Sequence, residues 1–95
     1  MGSRYKIKEY SFDRAKQLNV EIKPSSNPKK KIDVFKDNKK IESIGAVGYF
    51  DFPTLINVGK GLEYANKRRR LYKKRHEKDR HIVGSNGFWS DKILW

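Results

Sequence analysis

The chain contains no cysteine in its 95 residues. This absence excludes disulfides, thiolate nucleophiles and zinc sites with cysteine ligands. Long apolar runs are also absent: no stretch approaches the roughly eighteen apolar residues of a membrane span, and the N-terminus has no apolar signal core. The absence of such runs predicts a soluble protein that does not insert into a membrane and is intracellular, or packaged in a particle assembled inside the cell.

Acidic residues are scarce relative to basic ones. Eleven Asp and Glu residues stand against 23 Lys and Arg residues, which gives a formal net charge of +12. Hydrophobic residues make up only 36% of the chain, yet twelve residues are aromatic, more than a disordered basic tail carries. A chain of this length buries a modest core unaided. We therefore expect one compact domain with a basic surface.

The positive charge is concentrated in residues 67–80, which hold nine of the Lys and Arg residues and only two acidic ones. At helical spacing, like charges recur three and four residues apart, and each such pair costs an isolated helix roughly 0.2–0.5 kcal/mol. A polyanion lying along the helix would turn this repulsion into attraction. The composition therefore favours a phosphate-rich partner.

The N-terminal half has the patterning of short strands around a brief helix. Residues 4–8 alternate between basic and apolar side chains, which predicts a strand. Ser11 or Asp13 is a candidate cap for a helix that stops near Asn19, and residues 20–22 predict a second strand. The apolar residues of this helix recur every three positions, at Phe12, Ala15 and Leu18.

A β-hairpin is predicted over residues 31–44, around a turn at Asp37 and Asn38. Both turn residues tolerate the positive φ that a two-residue hairpin turn requires. Pairing across this turn places Val34 opposite Ile41. Three lysines then lie at the exposed tip of the hairpin: Lys36, Lys39 and Lys40.

The C-terminal half predicts one long helix over residues 61–82, after an aromatic connection at residues 49–60. Residues 83–95 form an apolar hook, and an apolar terminus of this kind must dock on something. The apolar stripe of the helix is predicted at Tyr64, Ala65, Leu71 and Tyr72.

Together these elements predict an α+β fold: a small, mostly antiparallel sheet over residues 4–48 with one short helix, and one long basic helix toward the C-terminus. We expect a single domain over residues 1–95, and residues 1–3 carry no functional weight.

A set of stretches spread over most of the chain is distinctive when taken together: residues 31–40, 43–46, 48–49, 51–54, 69–70, 72, 75–76, 79–80 and 84–95. The closing Ile-Leu-Trp after a Gly-Ser-x-Gly stretch is the most distinctive of them. Together they resemble a family of small basic proteins of unknown function that are encoded by large double-stranded DNA viruses of algae and protists. The resemblance implies a viral origin and a location in the virion or in the cytoplasm or nucleus of an infected host cell, but no activity.

Noncatalytic binding of nucleic acid, DNA or RNA, is the predicted function. The phosphate-binding residues are predicted on the long helix and on a second basic edge made of the hairpin tip and residues 29–31. The helix contributes Lys67, Arg68, Arg69, Arg70, Lys73, Lys74, Arg75, Lys78 and Arg80; the second edge contributes Lys29, Lys30, Lys31, Lys39 and Lys40. Tyr49, Tyr64, Tyr72, Phe88 and Trp89 are candidates for stacking on unpaired bases, although a structural role is favoured for each.

No catalytic residue, metal or cofactor is predicted. His76 and His81 are five residues apart, which places them about 140° apart on a regular helix, so they cannot share one ion as histidines four apart do. A nuclease using His76, Glu77 and Asp79 would need further ligands and is the third hypothesis. The sequence Gly59-Lys60-Gly61 lacks the rest of a P-loop, and a flexible entry to the helix is favoured over an anion site.

The main alternative is a structural or assembly role. In that hypothesis the basic helix binds an acidic viral or host protein, and residues 88–95 insert as an apolar anchor. The basic run also has the composition of a nuclear-targeting signal, which is compatible with either role.

Overall fold

The structure is a computed structural model that describes Gly2 and residues 4–57 and 61–95. Within these residues it confirms the predicted α+β class. The chain divides into two compact units, which we call unit 1 (Met1–Tyr49) and unit 2 (Phe50–Trp95); the single-domain organisation stays a prediction. None of the described helices has the length and apolar character that crossing a bilayer requires. The described elements are α1 (Glu9–Gln17), β1 (Glu21–Pro24), β2 (Lys30–Lys36), β3 (Lys39–Ala46), α2 (Phe52–Asn57), α3 (Leu62–Arg75) and α4 (Asn86–Leu94).

Unit 1 is built on an antiparallel sheet in which β2 is the central strand, in the order β1-β2-β3. Ile32 pairs with Ile44 on β3, and Val34 pairs with Ile22 on β1. Since residues two apart on a strand share a face, these four side chains lie on the same side of the sheet. All four are buried and form the apolar core of the sheet.

The predicted hairpin turn is confirmed, because Asp37 and Asn38 have φ angles of 52° and 65°. The predicted register is wrong by one residue beyond the turn. A β-bulge at Ile41 of β3, opposite the step from Val34 to Phe35, pairs Val34 with Glu42 instead of Ile41. A shift of one residue exchanges the faces of a strand, so the bulge is what brings Ile44 onto the core face opposite Ile32.

Helix α1 stops just before Asn19, as predicted, but it begins earlier than predicted. Asn19 has a φ of 58°, and the N–H groups of Asn19 and Val20 donate to the carbonyls of Lys16 and Ala15. This is a Schellman motif, in which a left-handed residue closes the helix.

At its start α1 follows Lys8 without a side-chain cap, so the predicted caps at Ser11 and Asp13 are wrong. Ser11 lies inside the helix and is buried with Ala15, while Phe12 is exposed. The packed face therefore follows a spacing of four residues where a spacing of three was predicted.

The strand predicted over residues 4–8 is wrong, because these residues form no regular element. Instead, the ammonium groups of Lys8 and Lys31 lie over the ring of Tyr5, at 4.1 and 5.1 Å from its centroid. Alternation of side chains predicts a strand only where a neighbouring strand supplies hydrogen-bond partners, and residues 4–8 are not part of the sheet.

The described residues of unit 2 form three helices, whereas the sequence predicts one long helix and a hook. Asp51 caps α2, since its Oδ1 accepts the N–H of Thr54 at 2.9 Å. Pro53 lies in the first turn, where its missing donor costs little. Helix α3 ends at Arg75 and residues 76–85 form turns, so the predicted end near residue 82 is wrong.

The C-terminal segment is a helix, α4, capped by the hydroxyl of Ser85, which accepts the N–H of Phe88 at 3.1 Å. Trp89, Ile93, Leu94 and Trp95 are buried. The ring of Trp95 stacks on Tyr72 of α3 with centroids 4.6 Å apart. The apolar terminus therefore docks within its own chain.

Gly87 allows a close approach at the start of α4. A Cβ at this position would lie 2.5 Å from the Oδ2 atom of Asp79. Any larger residue would push this carboxylate away, since the contact is far inside van der Waals distance. A larger residue at this position of α4 would therefore require the Asp79 side chain, which is half-exposed, to move.

A buried carboxylate, Asp33 on β2, ties the sheet to the loop after β1. Its Oδ1 accepts the hydroxyls of Ser25 and Ser43, both at 2.6 Å, and its Oδ2 accepts the N–H of Ser26 at 3.0 Å. Burial alone would raise the pKa of Asp33, but these hydrogen bonds outweigh it and hold the pKa below its ordinary value. The ammonium of Lys40, 3.8 Å away, acts in the same direction.

Replacing Asp33 with asparagine is expected to lower the free energy of unfolding by about 1–3 kcal/mol at neutral pH, because the hydroxyl donors lose a charged acceptor. The pKa of Asp33 is lower in the folded chain than the value of about 3.9 in an unfolded one. The stabilisation is therefore complete above about pH 4 and is lost as the pH falls through the folded pKa. The difference between wild type and Asp33→Asn should accordingly shrink in acid.

Urea unfolding followed by circular dichroism, repeated from neutral pH down to about pH 2, measures this difference. This range brackets the pKa of Asp33 in the unfolded chain. The matched control is Asp37→Asn, at an exposed turn position whose positive φ asparagine tolerates. A gap between Asp33→Asn and wild type that stays constant with pH would contradict the role of the ionised carboxylate.

Candidate nucleic-acid interface

The packed face of α3 differs from the apolar stripe that the sequence predicts. Ala65 is fully buried, and Arg69, Tyr72, Lys73 and His76 are half-buried, at helical spacings of three and four. In contrast, Tyr64 and Leu71 are 44% and 43% exposed. The prediction is correct for Ala65 and Tyr72 and wrong for Tyr64 and Leu71. Two of the predicted phosphate ligands thus lie on the face that packs.

Arg69 is occupied by an aromatic contact. Its guanidinium carbon lies 3.5 Å from the ring centroid of Phe52 in α2. A guanidinium over an aromatic face is attracted by the ring quadrupole, and its long stem packs against apolar surface. Arg69 therefore holds α3 to α2 inside unit 2 and is removed from the candidate phosphate-binding surface.

Lys73 is occupied by an ion pair. Its ammonium donates to the Oδ1 atom of Asp91 at 2.7 Å, and the side chain of Asp91 is only 1% exposed. Arg80 lies 3.8 Å from the other oxygen of Asp91 and also donates to Glu77, at 3.0 and 3.2 Å. A buried carboxylate needs such partners, since an unpaired charge in the interior is costly. Lys73 and Arg80 therefore join α3 and the following turn to α4.

Burial, charges and hydrogen bonds around these ion pairs also shift the pKa of Tyr72 and the pKa of Glu77. Burial raises the pKa of Tyr72 above its ordinary value, and the carboxylates of Asp91 and Asp79 add to this effect. Hydrogen bonds from His81 and Arg80 lower the pKa of Glu77. The polar side of α3 near its C-terminus is thus an internal network of charges.

The remaining cations of α3 lie together on the opposite side of the helix. At 100° per residue they cover an arc of about 160°, centred away from Ala65 and Arg69. Tyr64 and Leu71 lie within the same arc. Lys78, also exposed, follows just after the helix. We call this surface the cationic face of α3; its members, all exposed, are Lys67, Arg68, Arg70, Lys74 and Arg75.

The second basic edge predicted in unit 1 is divided by the structure. Lys29 is exposed and Lys30 half-buried at the start of β2, whereas Lys39 and Lys40 are exposed beside the hairpin turn. Lys36, at the turn end of β2, is six residues from Lys30, or about 20 Å along the strand. The two groups lie at opposite ends of β2, and the predicted single edge is therefore wrong.

Lys31 is buried, with 3% of its surface exposed, so its predicted role in phosphate binding is also wrong. Its ammonium donates to the backbone carbonyl of Tyr49 at 2.6 Å. In β2 the side chains alternate between faces, and both faces of this strand are covered at positions 31–34. The run of three lysines at residues 29–31 contains no indication of which of them points inward.

The two histidines pair with different carboxylates. His81 Nε2 lies 2.7 Å from Glu77, and His76 Nδ1 lies 3.5 Å from Asp79. Across residues 4–57 and 61–95, no three His, Asp or Glu side chains are grouped as metal ligands would be. The Gly59-Lys60-Gly61 sequence falls largely on residues 58–60, which lie outside the described part of the chain.

Comparison of the chain with protein-family models, with curated proteins and with solved structures found no match. The viral resemblance stays a prediction.

Proposed function

We propose that the protein binds nucleic acid without catalysis, through the cationic face of α3. The observation that carries this proposal is the separation of the cations of α3 into two sets. Arg69 and Lys73, on the packed face, are occupied by Phe52 and Asp91. The five cations of the opposite face point into solvent.

The exposed set is unfavourable for the isolated helix. Arg70 lies three residues from Lys67 and four from Lys74, and like charges at these spacings repel one another by roughly 0.2–0.5 kcal/mol per pair. Glu63, the acidic residue of α3, lies within the same arc and four residues before Lys67, so it offsets the repulsion only at the N-terminal end of this face. A phosphate backbone would relieve the repulsion, because it supplies negative charge along the length of the helix.

The spacing of the cationic face suits a polyanion. From Lys67 to Arg75 the helix rises about 12 Å. Duplex DNA carries about one charge per 1.7 Å of its axis, or about seven charges over this length, and five cations face them. Contacts of this kind position the protein on the backbone and carry little sequence information. DNA and RNA both satisfy this chemistry.

A salt titration tests the proposal. If the five side chains each displace a counterion from duplex DNA, the plot of log affinity against log salt should have a slope of about −4 to −5, at about −0.9 per contact. For a single strand the slope should be about −3.5, at about −0.7 per contact. Fluorescence anisotropy with the purified full chain measures both, and an affinity independent of salt would refute phosphate binding.

An acidic protein partner is the second candidate, favoured by the exposure of Tyr64 and Leu71 within the cationic face. A folded partner could cover these side chains, whereas phosphates would not. Residues 89–91 and 93–95 are buried, so this candidate no longer includes an apolar anchor at the C-terminus. For both candidate functions, a viral setting is proposed from the sequence resemblance alone.

A further inference from the structure

A second surface, in unit 1, exposes an aromatic side chain at the end of the sheet. The tip after β3 has its two large side chains in solvent: Val47 is 44% and Tyr49 75% exposed. Gly45 and Gly48 both adopt positive φ angles, of 77° and 100°, which turn the chain tightly at this point. A tyrosine ring exposed to this extent forgoes most of the stabilisation that burial would give.

The tip is held in place by the buried Lys31. Its ammonium donates to the carbonyl of Tyr49 at 2.6 Å, while the N–H of Tyr49 donates to the carbonyl of Ala46 at 3.3 Å. Taking an ammonium out of water is costly unless it is hydrogen-bonded. Tyr49 thus accepts a hydrogen bond from a buried cation through its backbone carbonyl while its side chain exposes an aromatic ring. The buried cation and the exposed ring are each unfavourable in isolation. The arrangement fixes the backbone that presents the Tyr49 ring.

Two further cations lie beside the tip. The N–H of Val47 donates to the carbonyl of Lys29 at 3.1 Å, and Lys30 pairs with Ala46 in the sheet. Lys29 is exposed and Lys30 half-buried. The tip therefore combines one presented aromatic ring with neighbouring positive charge. This is the combination with which proteins hold unpaired bases and the phosphates beside them.

We propose that the tip formed by Lys29, Lys30 and Tyr49 binds single-stranded nucleic acid, with the Tyr49 ring stacked on an unpaired base and the two lysines on adjacent phosphates. Stacking requires an accessible base face, so this surface discriminates against duplex. The inference goes beyond the cationic face of α3, which lies in unit 2 and does not distinguish single strands from duplexes by geometry.

The test compares Tyr49→Ala with wild type in anisotropy titrations on a single-stranded twelve-nucleotide oligothymidylate and on a duplex of equal length. We expect the variant to bind the single strand about 10- to 100-fold more weakly, the loss of one stacked base, and the duplex with less than a twofold change. Tyr49→Phe should retain single-strand binding, since it keeps the ring. Phe12→Ala is the matched control, because Phe12 is an exposed aromatic residue on α1.

Photo-crosslinking locates the contact independently of affinity. An oligonucleotide that carries 5-iodouracil should crosslink at Tyr49, and mass spectrometry identifies the residue. This result would stand even if removal of the α3 cations left duplex binding unchanged, so the two proposals fail separately. Equal weakening on both oligonucleotides, weakening on neither, or a crosslink only elsewhere would overturn the inference. Weakened binding to phosphatidylserine vesicles with unchanged oligonucleotide binding would also overturn it, in favour of a lipid surface.

Discussion

Replacing Lys67, Arg70, Lys74 and Arg75 together by glutamine is expected to lower the affinity for duplex DNA about four-thousandfold at about 100 mM salt. Each phosphate contact contributes a factor of about eight at this salt concentration, and the variant removes four. The slope of the salt titration should become less steep by about 3.6. Glutamine is chosen because its helix propensity is close to that of lysine and arginine. Fluorescence anisotropy measures both changes, and circular dichroism verifies that α3 is intact.

A matched pair of single substitutions separates binding from folding. Lys74→Met removes an exposed cation, and we expect weaker binding with a stability change within about 0.5 kcal/mol. Lys73→Met leaves the buried carboxylate of Asp91 without its partner at 2.7 Å, and we expect the free energy of unfolding to fall by about 2–4 kcal/mol. If the two variants bound equally tightly and were equally stable, the assignment of the two faces of α3 would be wrong.

Replacing Ile93 with alanine is expected to lower the free energy of unfolding by about 2–5 kcal/mol, since Ile93 is fully buried in α4. A small domain has a total stability of about 5–15 kcal/mol, so this one change removes a large share of it. Deleting residues 88–95 should have a still larger effect and abolish the structure of unit 2, because four buried apolar residues are lost, each worth about 1.5–3 kcal/mol. Urea unfolding followed by the fluorescence of Trp89 and Trp95 measures the substitution, and circular dichroism measures the deletion.

The control for Ile93 is the same chemical change at Ile82, which is 58% exposed in the turn before α4. Ile82→Ala should change the stability by no more than about 0.5 kcal/mol. A deletion variant that melts within a degree or two of wild type would show that the C-terminal segment contributes little to the fold. It would then be available to a partner.

In unit 1, the sequence was informative where one residue type has a strong backbone preference. Asp37 and Asn38 predict the hairpin turn and Asn19 the end of α1, because each tolerates a positive φ. The bulge at Ile41 was not predictable from the turn, since a regular register satisfies the same turn residues. It follows from the need to bring Ile44 to the core face, which depends on the whole sheet.

In unit 2, hydrophobicity alone identified Ala65 and Tyr72 on the packed face of α3 but misplaced Tyr64 and Leu71. Tyr64 and Leu71 are the more apolar residues, but the packed positions nearby hold Arg69 and Lys73, whose partners Phe52 and Asp91 lie on other helices. Such pairs are long-range in the sequence and leave no periodic pattern.

The cations of the candidate interface were predicted as a cluster, but not as two sets with separate roles. Lys67, Arg68, Arg70, Lys74 and Arg75 are exposed as expected. For Arg80 a local indication existed, because Glu77 three residues earlier is a natural ion-pair partner. For Lys31 there was none, since the alternation of a strand covered on both faces does not single out the buried lysine.

The bulge on the outer strand β3 has a further consequence, for how neighbouring copies behave. A protein that coats a polyanion is brought to high local concentration, where exposed strands of adjacent copies tend to pair and aggregate. On β3 the bulge disrupts the regular ladder near Lys39 and Lys40, and the opposite outer strand, β1, ends at Pro24, which has no N–H to donate. Both borders of the sheet thus resist strand addition, so copies of the protein at high local concentration are expected to stay separate, as the proposed coating of a polyanion requires.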